Sequence, residues 1–157
     1  MVQPCVLYHF AFHPASRAAR LALGEARIDW TDTPVRPWEP DCPLSALNPS
    51  GMPPVIQTAD RGRELTLCEL PAILGWIEDQ QKTPLLLSAD LAERAEARRL
   101  MTWFEGRFTD EVDAVLLHER MEKPLLKLGP PEARALRAGR DALKAHLSLL
   151  DEIAGAR

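Results

Sequence analysis

The sequence predicts an α/β domain of βαβ–ββα order followed by an all-α part, and three stretches carry that prediction. Asn48-Pro-Ser-Gly-Met-Pro-Pro-Val-Ile56 reads as a turn delivered into a strand. Pro49 fixes φ, Gly51 can take φ > 0, and Pro53-Pro54 belong at the mouth of a strand, because proline cannot donate to a central ladder. Leu67-Cys-Glu-Leu-Pro-Ala-Ile-Leu-Gly-Trp-Ile77 ends a second strand and opens a helix, since proline is tolerated in a first turn. Beyond the polar stretch Gln80-Gln-Lys-Thr-Pro84 the pattern changes to apolar residues at three-and-four spacing, the period of helices.

Taken in order, Val6-Leu-Tyr-His9 is an apolar run suited to a buried strand. Pro14 and Ser16 open a helix that Ala18, Ala19, Leu21, Ala22 and Leu23 sustain by propensity. Asp29 to Val35 alternates around Trp30 and reads as the second strand. Arg36-Pro-Trp-Glu-Pro-Asp-Cys-Pro43 holds Pro37, Pro40 and Pro43 and reads as a stiff irregular loop. Pro54–Gln57 and Glu64–Leu67 flank Asp60-Arg-Gly62, a hairpin signal. The Pro53–Pro54 bond is expected to be cis, a form that costs about 0.5–1 kcal/mol at an X-Pro bond. Pro71 to Asp79 is helical. Asp90 to Met121 is a long helical stretch with Leu100, Trp103, Phe104, Phe108, Val112, Val115 and Leu116 on one stripe, and Ser88 supplies its N-cap. Gly129-Pro-Pro131 interrupts, and Glu132 to Ile153 is the last helix, with Leu136, Ala138, Leu143, Leu147 and Leu150 on one side. The domain reading is therefore 1–80 for the α/β part, 81–87 for a linker and 88–157 for the helical part. Two helices make a hairpin rather than a core of their own, so the expectation is that 88–157 is a truncated portion of a larger helical domain.

The net charge of −4 supplies no basic surplus to neutralise phosphates, which argues against nucleic-acid binding. No signal peptide and no apolar run of about 18 residues is present, so the expectation is a cytoplasmic protein without a membrane partner. Cys5, Cys42 and Cys68 are an odd number, widely spaced and without a CxxC, and read as free thiols rather than a disulfide, zinc or redox set. The acids Glu105, Asp110, Glu111, Asp113, Glu119 and Glu122 read as a solvated helix face, and His118 and His146 lack companions at metal-ligand spacing. No metal site is expected.

The turn, the proline at the strand mouth and the acidic residue opening the next helix fall at the offsets of the glutathione transferase superfamily. The chain resembles that family's thioredoxin-like N-terminal half and the start of its helical half. In the family a hydroxyl or thiol after the first strand lowers the pKa of the glutathione thiol, within a pattern like S/C-P-x-S-x-x-x-R-x-A-L. The matching run here is His13-Pro-Ala-Ser-Arg-Ala-Ala-Arg-Leu-Ala-Leu23, which places His13 at the activating position and Ser16 within reach of the role. The family residue before the cis-proline (here Pro54) offers its N–H and C=O to glutathione. Here it is Pro53, which has no N–H. The family's Glu-Ser pair, which holds the γ-glutamyl end, is Glu69-Leu70, so the hydroxyl is replaced by an isobutyl group. The resemblance thus implies a scaffold that binds glutathione weakly, and no cofactor is expected.

Arg36-Pro-Trp-Glu39 before the turn, with Trp103-Phe, Glu111-Val and His118-Glu-Arg120 in the long helix, is similar to an alphaproteobacterial subgroup, the FtsZ-binding transferase-like cell-division proteins. That resemblance implies a non-catalytic adaptor that binds FtsZ polymer as a homodimer. Trp38 in its proline-stiffened loop, with Arg36 beside it, is the candidate contact. The alternative is a glutathione-dependent transferase or isomerase with His13 or Ser16 as thiol activator.

Overall fold

The computed structural model describes residues 5–155. It divides into two compact units, Met1–Arg94 and Ala95–Arg157. In the first, β1 (Val6–His9), α1 (Pro14–Glu25), β2 (Thr31–Pro34), α2 (Leu44–Leu47), β3 (Val55–Asp60), β4 (Arg63–Cys68) and α3 (Leu70–Asp79) follow in order. The four strands form one sheet in the order β2-β1-β3-β4. β1 pairs parallel with β2 and antiparallel with β3, and β3–β4 is an antiparallel hairpin around Arg61-Gly62. This is the expected βαβ–ββα frame, a thioredoxin-like fold.

Register decides which residue faces which layer. Leu7 pairs with Ile56 and Tyr8 with Val55, so neighbouring positions point to opposite faces. On one face Cys5, Leu7 and Ile56 pack against Ala19, Ala22 and Leu23 of α1 and Ile73 and Ile77 of α3. On the other, Val55 packs with Val35 and Leu44, and with the half-buried Tyr8, Leu47, Cys42 and Cys68. The three cysteines are free thiols, as read from their spacing. The expected strand over 29–35 is shorter in the structure, Thr31–Pro34, and the single turn of α2 was not foreseen. Leu44 nevertheless decides that turn's place, because its side chain is fully buried against the second face.

α4 (Leu91–Trp103) begins on a cap different from the one expected. Asp90 Oδ1 accepts the N–H groups of Ala92 and Glu93, both at 2.9 Å, while Ser88 Oγ accepts the N–H of Asp90 itself. The helical run continues through a π-type stretch, Phe104–Asp113, then α5 (Ala114–Leu117), a second π-type stretch, His118–Glu122, and α6 (Lys123–Leu126). Residues five apart share a face in π winding. Trp103 and Phe108 accordingly both contact the His146 ring, with centroids at 5.4 and 5.2 Å. α7 (Ala133–Gly155) packs along this run, and of the expected leucines only Leu136 and Leu143 are half-buried. Its buried positions are Gly139 and His146, whereas Leu147 and Leu150 are exposed. A Cβ on Gly139 would meet Leu116 Cδ2 at 2.8 Å, so glycine there permits close approach of the two helices. Val112 is the one hydrophobic residue buried in this unit among the described residues. No helix among them is long and apolar enough to cross a membrane.

Candidate functional site

The Asn48-Pro-Ser-Gly turn is fastened to the start of α3 by side chains. Asn48 is buried and donates from Nδ2 to the Met52 carbonyl at 2.8 Å and to Glu69 Oε1 at 3.2 Å. Its Oδ1 accepts the N–H of Ser50, and Ser50 Oγ donates to the same Glu69 oxygen at 3.1 Å. Gly51 takes φ +66, as the turn requires, and its N–H closes the turn on the Asn48 carbonyl. Glu69 is held at φ +66, the sparsely populated left-handed side of backbone space for a residue with a Cβ. Its carboxylate makes no cap to α3. One of its oxygens is therefore already occupied by the protein's own turn.

His13 sits at the N-cap of α1 with extended backbone and no capping hydrogen bond from its side chain. Its Nδ1 lies 3.5 Å from Ser16 Oγ. Ser16 is completely buried, and its hydroxyl oxygen accepts the Phe10 N–H at 3.3 Å. Burial holds His13 below the ordinary histidine range, and the nearby Glu69 carboxylate pulls weakly the other way. The imidazole is thus favoured in its neutral form, which offers a thiolate a hydrogen bond but no positive charge. The structure brings His13, Ser16 and Glu69 to one place.

The remaining expected ligand positions do other work. Pro53 and Pro54 are buried, and the bond between them is cis, as expected. Leu70 is half-buried and packs on the core between the sheet, α1 and α3. Cys68 donates its thiol to the Leu47 carbonyl at 3.3 Å, and burial first, then the Glu69 charge, raises its pKa. The turn residues Asn48 and Ser50 were read only as turn chemistry; their grip on Glu69 spans 21 and 19 positions of sequence.

A cleft of about 540 Å³ opens beside β1 and the loop after β2. Phe10, Arg36, Glu39, Asp41 and Cys42 are among its lining residues. Trp38 is half-buried, its ring set edge-on to Phe10 at 5.1 Å between centroids, and Phe10 in turn contacts Phe12 at 5.6 Å. Arg36 is exposed and paired with Glu39 at 3.0 Å. The indole is therefore propped by aromatic contact as well as by the prolines around it.

Of the acids read as a solvated face, one is buried and a second, still partly exposed, is held by partners. Glu119 is buried, accepting Lys123 Nζ at 2.7 Å and the Glu132 N–H at 2.6 Å at the start of α7. Glu111 accepts Arg107 Nε at 2.7 Å and lies 3.0 Å from Nε2 of the buried His146. No group of three metal-ligating side chains occurs among the described residues.

Sheet order, the turn with its cis proline and the acidic residue at the mouth of α3 define a thioredoxin-like domain of the glutathione transferase type. Residues 13–80 match the glutathione S-transferase N-terminal domain family. The chain is 32% identical to a glutathione S-transferase from Sinorhizobium meliloti of known structure, with a TM-score of 0.83 over 98% of this chain and 68% of that one. It belongs to the glutathione S-transferase family. It is also similar to FtsZ-localized protein A of Caulobacter vibrioides, at 50% identity over 147 residues, 94% of this chain. The solved structure of FzlA from C. crescentus matches with a TM-score of 0.90 at 48% identity, covering 98% of this chain and 68% of that one. The chain spans 64% of the length of the C. vibrioides relative.

Proposed function

We propose that this chain acts as a non-catalytic, cytoplasmic cell-division adaptor of transferase fold that binds FtsZ polymer as a homodimer. The observation that carries the reading is the 50% identity, across 94% of the chain, with a relative named for its localisation with FtsZ. The local chemistry supports it. Pro53 has no N–H to offer a ligand, Leu70 has turned into the core, and a Glu69 oxygen is spent on Asn48 and Ser50. Arg36, which lines the cleft, and Trp38, packed on the cleft residue Phe10, are the surface assigned to the polymer.

The alternative, a glutathione-dependent transferase, has one observation on its side, the 3.5 Å approach of His13 Nδ1 to Ser16 Oγ. Against it, Ser16 is buried and its oxygen is already bonded to the backbone. Sedimentation with assembled FtsZ tests the choice. The adaptor reading expects the protein in the polymer pellet and no glutathione-dependent turnover of an aromatic electrophile. Turnover without pelleting would overturn it.

A further inference from the structure

α7 carries basic residues where they work against the helix itself. Arg134, Arg137, Arg140 and Lys144 are all exposed, spaced three, three and four apart. At about 100° per residue they fall within roughly a third of the helix circumference. That sector lies opposite the packed side marked by Gly139 and His146. Each neighbouring pair places like charges at i,i+3 or i,i+4, an arrangement that destabilises a helix. The first turn of α7 holds no acidic residue of its own, but the buried Glu119 carboxylate accepts the Glu132 N–H just before it and answers the positive end of the helix dipole, so the strain lies in the like-charge spacing.

Among the described residues nothing relieves that spacing. Among the described residues Arg134, Arg137 and Arg140 form no ion pair. Asp141, the acid that shares their sector, meets Lys144 only at 3.8 Å, with both side chains more than three-quarters exposed. A chain with net charge −4 does not place four cations in one stripe by surplus.

We infer that this face of α7 docks an acidic polypeptide segment. Planar guanidinium forks match carboxylates in bidentate fashion, which explains arginine at three of the four positions. From Arg134 to Lys144 the stripe runs about 15 Å at 1.5 Å per residue, the reach of four or five residues of an extended partner. Asp141 within the stripe, and Asp151 and Glu152 further along the same helix, disfavour a continuous phosphate backbone. This inference stands apart from the FtsZ reading and uses neither Trp38 nor Arg36.

The test is fluorescence anisotropy of labelled octaglutamate titrated with the protein. Arg134→Gln, Arg137→Gln and Arg140→Gln combined should weaken binding by about tenfold, three exposed charge pairs being lost together. Neutralising Arg61, Arg63 and Lys82 to Gln changes the total charge equally and should leave binding unchanged. The α7 variant should also melt no lower than wild type, since like-charge contacts have been removed. Equal weakening by both triple variants, or none by the first, overturns the inference. Tighter binding of an octathymidylate than of octaglutamate overturns it too, in favour of a nucleic-acid surface.

Discussion

Asn48→Ala is the perturbation that reads the turn's role most clearly. It removes donation to the Met52 carbonyl and to Glu69, and acceptance from the Ser50 N–H. A net hydrogen bond contributes about 1 kcal/mol, and one to a charged group about 1.5–3. Met52, Ser50 and Glu69 are exposed and recover water when released, which pulls the sum toward its lower end. The expected loss is about 3.5 kcal/mol, or about 1.8 M in urea midpoint for an m-value near 2 kcal/mol/M. Asn48→Asp separates hydrogen bonding from charge. It keeps the acceptor for Ser50 but sets a second carboxylate about 3 Å from Glu69, so it should be less stable than Asn48→Ala at neutral pH. Like-charge repulsion raises the carboxyl pKa in the folded state, so the variant should recover relative to wild type as the pH falls toward the carboxylate range. Urea unfolding followed by far-ultraviolet circular dichroism measures all three proteins. Asn48→Ala within about 0.5 kcal/mol of wild type, or an Asp variant as stable as wild type at pH 7, would refute the claim that this side chain ties the turn to α3.

In NMR titration His13 should show a midpoint below the unperturbed value of about 6.5, and Glu69→Gln should lower it further by removing the opposing charge. With a depressed folded pKa, His13's contribution to stability is full above about 6.5 and is lost as the pH falls from there through the folded value; a midpoint above 6.5 would contradict the burial account. Calorimetry with glutathione should show weak binding, and a low micromolar dissociation constant would contradict the site reading. Combining His13→Ser, Pro53→Val and Leu70→Ser should raise affinity more than any single change, because the three positions are those at which contacts to one ligand have been lost. Gly139→Ala should destabilise, since a Cβ 2.8 Å from Leu116 Cδ2 costs about 1–3 kcal/mol of overpacking and outweighs the gain of about 1 in helix propensity; a raised melting temperature would refute the close-packing claim.

The parts of the fold legible in the sequence are those set by local backbone chemistry. Gly51, Pro53-Pro54 and the Asp60-Arg-Gly62 turn constrain φ and hydrogen bonding wherever they occur, so the turn and hairpin follow from residue type. What escaped is long-range. Nothing near Asn48 indicates that its amide will meet Glu69, and nothing near Glu119 indicates that it will cap α7 through Glu132. The packed face of α7 was only partly legible, because leucine outweighs glycine and histidine in any hydrophobic pattern. Gly139 nevertheless gives the closest approach, and His146 is bound by Glu111 and three aromatic rings. Leu70 was recognised as a lost ligand group; its gain as a core side chain needed the structure.

The most direct test of the adaptor account is a quantitative co-sedimentation isotherm with assembled FtsZ for wild type, Trp38→Ala and His13→Ala. The account predicts saturable pelleting that Trp38→Ala weakens several-fold, more than it weakens folding, because a propped aromatic at a stiff loop is the kind of residue that dominates an interface. His13→Ala should pellet as wild type does. An isotherm indifferent to Trp38 would contradict the assigned surface, and a protein that stays in the supernatant at every FtsZ concentration would contradict the account itself.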